Sequence, residues 1–322
     1  MPYTDDPAQR LDDLLDLQEA RIANIFRTAV EALKGEIDLD ELANLIAAGR
    51  VADALDRLQH IAEALGSASN VAFVTTGQST ADFLTAANVG RIVFDQVNIA
   101  AVAQMQANRL QLVREFTDEQ RRATSLALVS GVEGGQNPRA AARNFRDSIG
   151  LTERQWGAVA NYRRALEAVG TDPATAAAAV QRELRDRRGD SQVMRAMRQG
   201  QALPPAKIDW LVERYTARYV KYRSEVIGRT EALRAVNQGN EEMYRQAIEA
   251  GDIDADAIKR TWNTRIDGRE RTTHLLLNGQ EKGWGEAWVT RHGPIKYPGD
   301  PDAPASETVQ CRCSLSTRIR TR

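Results

Sequence analysis

Histidine, cysteine and aromatic residues are scarce in this chain. Among 322 residues it holds three histidines and two cysteines, and aromatic side chains make up only 6%. The two thiols, Cys311 and Cys313, are one residue apart. A bridge across a single intervening residue would be strained, and the multi-bridge framework of small secreted domains needs more cysteines. Their crowding near the C-terminus suggests a reducing compartment. Long apolar runs are missing too: no stretch approaches the about 20 apolar residues of a membrane helix, so no membrane partner is expected. The opening segment Met1-Pro2-Tyr3-Thr4-Asp5-Asp6-Pro7 is acidic, has no apolar centre and does not read as a secretory signal. With a net charge of −1, a uniformly basic nucleic-acid coat is excluded.

What is present is a chain able to bury a core, with 42% hydrophobic and 27% charged residues. Alanine and leucine dominate the apolar set, which favours helices over a β-sandwich. Charge is unevenly spread. Residues 1–60 carry six basic and thirteen acidic side chains, residues 61–204 seventeen and fourteen, and residues 205–322 twenty and seventeen. An acidic head on a mildly basic remainder points to a segment facing a basic partner, or to a solvated helix face.

Apolar residues recur at three- and four-residue steps from Pro7 to Lys34, predicting a first helix that Asp5 or Asp6 can cap. A second begins near Asp38 and a third spans about 51–65. Residues 66–90 are ambiguous between a short strand and a loop. A long helix is expected from about Ile92 to Phe116. Thr117-Asp-Glu-Gln120 and Thr152-Glu-Arg-Gln155 both read as capping boxes that start helices. Gly131 to Pro138 forms a glycine-rich turn, and Asp172-Pro173 opens a helix over Ala174–Arg185. Pro204-Pro205 then starts a long helix with a bend near Gly228 and a stop around Gly239, resuming until Ala250-Gly251. After Gly251 the texture changes to short apolar pieces between loops. The expected fold is mainly α, with long amphipathic helices in a bundle or extended arrangement and a small C-terminal α+β subdomain. Three regions are expected: an acidic helical segment 1–66, a helical middle domain 67–204, and residues 205–322 as a long helix plus the α+β tail.

Chemistry-bearing residues converge in that tail: Asp267 with His274, His292, and Cys311 with Cys313. In a strand the two thiols would project to one face, and in a helix Asp267 and His274, two turns apart, would share one. Two sulfurs, one imidazole and one carboxylate or second imidazole would complete a tetrahedral zinc site that ties the tail together. The competing reading makes the cysteines small buried hydrophobes and leaves His274 to a local hydrogen bond. Enzyme templates mostly fail. There is no phosphate loop, no Gly-x-Ser-x-Gly elbow, no His-Glu-x-x-His helix and no zinc-deaminase pattern. A metal-dependent nuclease or other hydrolase resting on His274, His292 and Asp267 is the alternative to a non-enzymatic protein. Glu225 and Arg229 stand four apart with the acid first, the favourable order for a helical ion pair.

One order of residues is more specific than any single motif. It runs Tyr219, Tyr222-Arg223, Glu225, Ile227, Arg229-Thr230-Glu231, Asn237, Gly239, Trp262, Asp267, Arg269, Arg271, His274, Gly279, Pro298-Gly-Asp-Pro301 and Cys311-Arg-Cys313. Over about residues 205–315 this resembles the Mu F-like minor head proteins of tailed phages, also called phage head morphogenesis proteins. The resemblance implies a virion component present in few copies, inside the capsid near the portal. Its implied partners are the portal protein or the major capsid protein, with non-specific contact to packaged double-stranded DNA. The implied role is head assembly, DNA packaging or ejection, and no reaction is implied.

Overall fold

The structure, a computed structural model, describes residues 8–48, 50, 53, 55, 58–133 and 137–320. Three expectations fall wholly or partly outside these residues: the cap at Asp5 or Asp6, the start of the third helix near Val51, and Gly134–Gln136 of the glycine-rich turn. The described helices are α1 (Ala8–Glu36), α2 (Leu39–Ala47), α3 (Gln59–Ala86), α4 (Ile99–Glu133), α5 (Pro138–Ser148), α6 (Glu153–Glu167), α7 (Pro173–Ala177), α8 (Asp190–Gln199), α9 (Pro205–Glu249), α10 (Thr272–Leu275) and α11 (Ala305–Thr308). Strands are β1 (Ile258–Asn263), β2 (Glu281–Gly283), β3 (Trp288–Thr290), β4 (Gly293–Ile295) and β5 (Ser314–Ile319). The protein is thus mainly α with a small C-terminal α+β part. None of the described helices is long and apolar enough to cross a membrane.

Residues group into two compact units: Met1–Phe26 with Glu63–Leu112 and Glu225–Arg322, and Arg27–Ala62 with Val113–Ser224. In the second unit α2 packs against α5. Side-chain caps fix several starts there. Asp38 accepts from the amides of Asp40 and Glu41, Asn137 precedes Pro138 and accepts from Ala140, and Thr152 closes a capping box with Gln155. Thr117 starts nothing, because α4 runs through it. Gln120, instead of capping, is buried and clamps the loop after α5, accepting from Gly150 N at 2.9 Å and donating to Ser148 O at 3.2 Å. The helix at Pro173 is shorter than expected, giving way to a 3₁₀ turn after Ala177.

In the first unit, β1 is the middle strand of an antiparallel sheet in the order β2-β1-β5, and β3 pairs with β4 as a hairpin. One core joins Phe73, Leu84, Ile92, Phe94, Met243, Tyr244, Ile258 and Ile319. A second joins Leu233, Trp262, Leu277, Trp288, Ile295, Cys311, Cys313 and Leu315, with Leu15 of α1 packed on it. Residues 66–86, ambiguous from sequence, are helix. Threonine hydroxyls are satisfied inside it: that of Thr76 donates to Ala72 O at 2.9 Å, and that of Thr80 donates to Asn240 Oδ1 at 3.0 Å. Residues 92–98 are not helical. They carry Ile92 and Phe94 into the core, and Asn98 caps α4 by accepting from Ala100 N. Gly239 does not end α9. A Cβ there would sit 2.2 Å from the Phe73 carbonyl oxygen, so the glycine marks a close approach of α9 to α3.

Candidate metal centre

The tail's sequence builds a pocket from its loops inward. After β1 the chain leaves at Thr264 and returns at Gly279, whose amide donates to Trp262 O at 2.8 Å while Trp262 N donates to Gln280 O at 3.0 Å. Gly279 adopts φ +77°, the left-handed turn that suits glycine. The closed loop hangs α10 over the sheet. The Thr264 hydroxyl donates to His274 O at 2.7 Å and Asn278 Oδ1 accepts from Thr264 N at 2.9 Å, which fixes His274 at the loop's inner side. Trp262 packs edge-on against the His274 ring, centroids 5.3 Å apart, and Trp288 lies edge-on to Trp262.

A second segment comes in from α11. Arg271 holds it by donating to Ser306 O at 2.6 Å and to Val309 O. Gln310 adopts φ +57°, uncommon for a residue with a side chain, and its amide donates to Thr230 Oγ1 of α9 at 3.2 Å. This turn delivers Cys311 and Cys313 beneath the imidazole. His274 Nδ1 lies 3.5 Å from Cys311 Sγ and 3.3 Å from Cys313 Sγ. Cys313 N also donates to Cys311 Sγ at 3.5 Å. All three donor side chains are buried, and their ligand atoms lie within 4.8 Å of one another. Among the described residues this is the group of histidine, cysteine or carboxylate side chains able to hold a metal ion.

The other face of the imidazole meets a carboxylate that sequence reasoning missed. Glu307 of α11, 1% exposed, sets Oε2 2.8 Å from His274 Nε2 and accepts from the Thr273 hydroxyl at 3.0 Å. Glu307 carries no motif; its only sequence signal is that it precedes Cys311 by four positions. The carboxylate thus stands at Nε2, the ring nitrogen remote from the sulfurs, while Nδ1 faces them. Electrostatics favour a thiolate. The Cys311 thiol, hydrogen-bonded to the Cys313 sulfur, and the His274 ring lower the Cys313 thiol against the cost of burial, while the same pairing and burial push Cys311 well up.

His274, Cys311 and Cys313 therefore come together, and Asp267 stands apart from them. Helix α10 begins only at Thr272, so Asp267 lies in the preceding loop, where its carboxylate accepts from Arg269 N at 3.2 Å and pairs with Arg312. His292 is half-exposed beyond Glu307, 3.7 Å from Oε1. Arg229 bonds Glu19 of α1 in a two-point contact, 2.7 and 3.1 Å, and the Glu225 carboxylate four positions before it adds Coulombic attraction. A pocket of about 450 Å³ opens beside the cluster, lined by Cys311, Cys313, Thr264, Arg312, Asp12 and Asp16, among others.

Comparison with known proteins gives one finding: the family model described as phage Mu protein F like protein matches residues 190–316. That span contains α8, α9 and the whole cluster around His274. No curated protein and no solved structure matches the chain.

Proposed function

We propose, from the Mu F-like match over residues 190–316, that this chain is a minor head protein of a tailed phage or phage-like particle. In this reading it enters the head during assembly, rests inside the capsid near the portal, and assists assembly, packaging or ejection without catalysing a reaction. The match is the observation that carries the reading. Two physical features support it. The apolar stripe of α1, through Leu11, Ile22, Phe26, Val30 and Leu33, is already buried in the chain itself. What α1 offers outward is charge, including exposed Asp13 and Glu31, suited to a basic patch on a portal or inner-capsid partner. The mildly basic remainder supports only weak, salt-sensitive contact with packaged double-stranded DNA, since phosphate attraction is independent of sequence.

The test uses phage particles. The chain should be detected by mass spectrometry in purified heads, and it should co-sediment with isolated portal complexes. Exchanging Asp13→Lys and Glu31→Lys should reduce that co-sedimentation at physiological salt while changing stability by no more than about 0.5 kcal/mol, as surface substitutions usually do. Heads of normal composition and infectivity assembled without the chain would overturn the proposal.

A further inference from the structure

We propose that His274 Nδ1, Cys311 Sγ and Cys313 Sγ bind one zinc ion, with Glu307 as the carboxylate that orients the imidazole. The geometry points to it in three ways. Tetrahedral zinc with bonds of about 2.3 Å to sulfur and about 2.0–2.1 Å to nitrogen separates a sulfur from a nitrogen ligand by about 3.5 Å, and the chain holds these atoms 3.3 and 3.5 Å apart. Glu307 supplies the outer partner that metal-bound histidines almost always have. The Cys313 amide, 3.5 Å from Cys311 Sγ, donates to sulfur as an outer hydrogen bond to a thiolate does. The donor set selects the metal class: two thiolates and an imidazole suit zinc, whereas magnesium and calcium require oxygen.

The expected fourth protein ligand, Asp267, is replaced. Arg312 takes that carboxylate, so the site has three protein donors and leaves one coordination position to water from the adjoining pocket. Such a site braces the turn at Gln310 by tying α10 to the segment between α11 and β5. It needs no assumption about the head: metal content is read on the isolated chain, and its failure would leave the assembly role untouched.

The experiment uses the full chain, expressed in zinc-supplemented medium and purified without chelators. Elemental analysis should give one zinc per chain. X-ray absorption at the zinc edge should show two sulfur and two lighter ligands. Replacement by Co²⁺ should give sulfur-to-cobalt charge-transfer bands that disappear in Cys311→Ser and Cys313→Ser. Should those variants fail to fold, Glu307→Gln keeps every ligand and should weaken zinc affinity about 10- to 100-fold in a chelator competition. A folded, zinc-free chain that gives no charge-transfer band with Co²⁺ would overturn the proposal, as would unchanged zinc affinity in a folded Glu307→Gln.

Discussion

Arg260 shows how much one buried charge can organise. It is 1% exposed on the middle strand β1, and its guanidinium contacts both Glu241 oxygens at 3.0 and 3.1 Å. It also donates to Glu286 O at 2.6 Å and lies over the rings of Trp284 and Trp288. Burial raises the Glu241 carboxyl, and the Coulombic pull of Arg260 opposes that shift. Removing one partner of such a pair leaves the other desolvated and unpaired, so Arg260→Ala should cost about 3–5 kcal/mol in urea denaturation. Asp186 supplies a pH test. Hydrogen bonds from Arg188, and from Arg214, hold its carboxyl below the usual carboxylate range against the cost of burial. The folded pKa is depressed, so its stabilisation is complete above the unfolded value of about 4 and fades as pH falls through the folded one. Asp186→Asn should therefore melt below wild type at pH 7, with the gap narrowing under strongly acidic conditions. A gap independent of pH would show that packing, and not charge, holds the residue.

At the scale of elements, two glycines in helices make opposite predictions. Alanine in a helix interior is favoured over glycine by up to about 1 kcal/mol. At Gly157 of α6 nothing lies within 4 Å of a new Cβ, and Gly157→Ala should gain about 0.5–1 kcal/mol in thermal or urea unfolding. At Gly239 the new Cβ meets the Phe73 backbone. The clash outweighs the propensity, so Gly239→Ala should lose about 1–3 kcal/mol. This contrast also explains which elements could be read in advance. Starts set by a side chain bonding its own backbone, at Asp38, Asn137-Pro138, Asp172-Pro173 and Thr152, or by a proline, at Pro205, are local chemistry and were legible. Helix α3, the uninterrupted α4 and the passage of α9 through Gly239 depend on partners far along the chain, and local pattern misjudged them. The site divides in the same way. The cysteine pair and His274 were recognisable from residue type and order. Glu307 approaches from a loop with no pattern of its own, and Asp267 was placed on a helix that begins only after it.

At the scale of the molecule, the Mu F-like region is not walled off in sequence. The compact unit that contains it also takes in residues from α1, α3 and the start of α4, and Phe73, Leu84 and Phe94 share a core with Met243, Ile258 and Ile319. A fragment of residues 205–322 made alone should therefore lack cooperative unfolding and bind a hydrophobic dye. Adding residues 1–112 on a separate chain should restore a cooperative transition. Sharp unfolding of the fragment by itself would show that its own core suffices.

The bond between Glu19 and Arg229 spans 210 residues. During synthesis at about 5–20 residues per second, the first helix leaves the ribosome about 10–40 s before the arginine that fastens it. Throughout that wait Leu15 lacks the core of Leu233, Trp262 and Leu277 on which it packs in the finished fold. A chain cut short before Arg229 therefore has neither the ion pair nor the core that fastens this flank of its first helix.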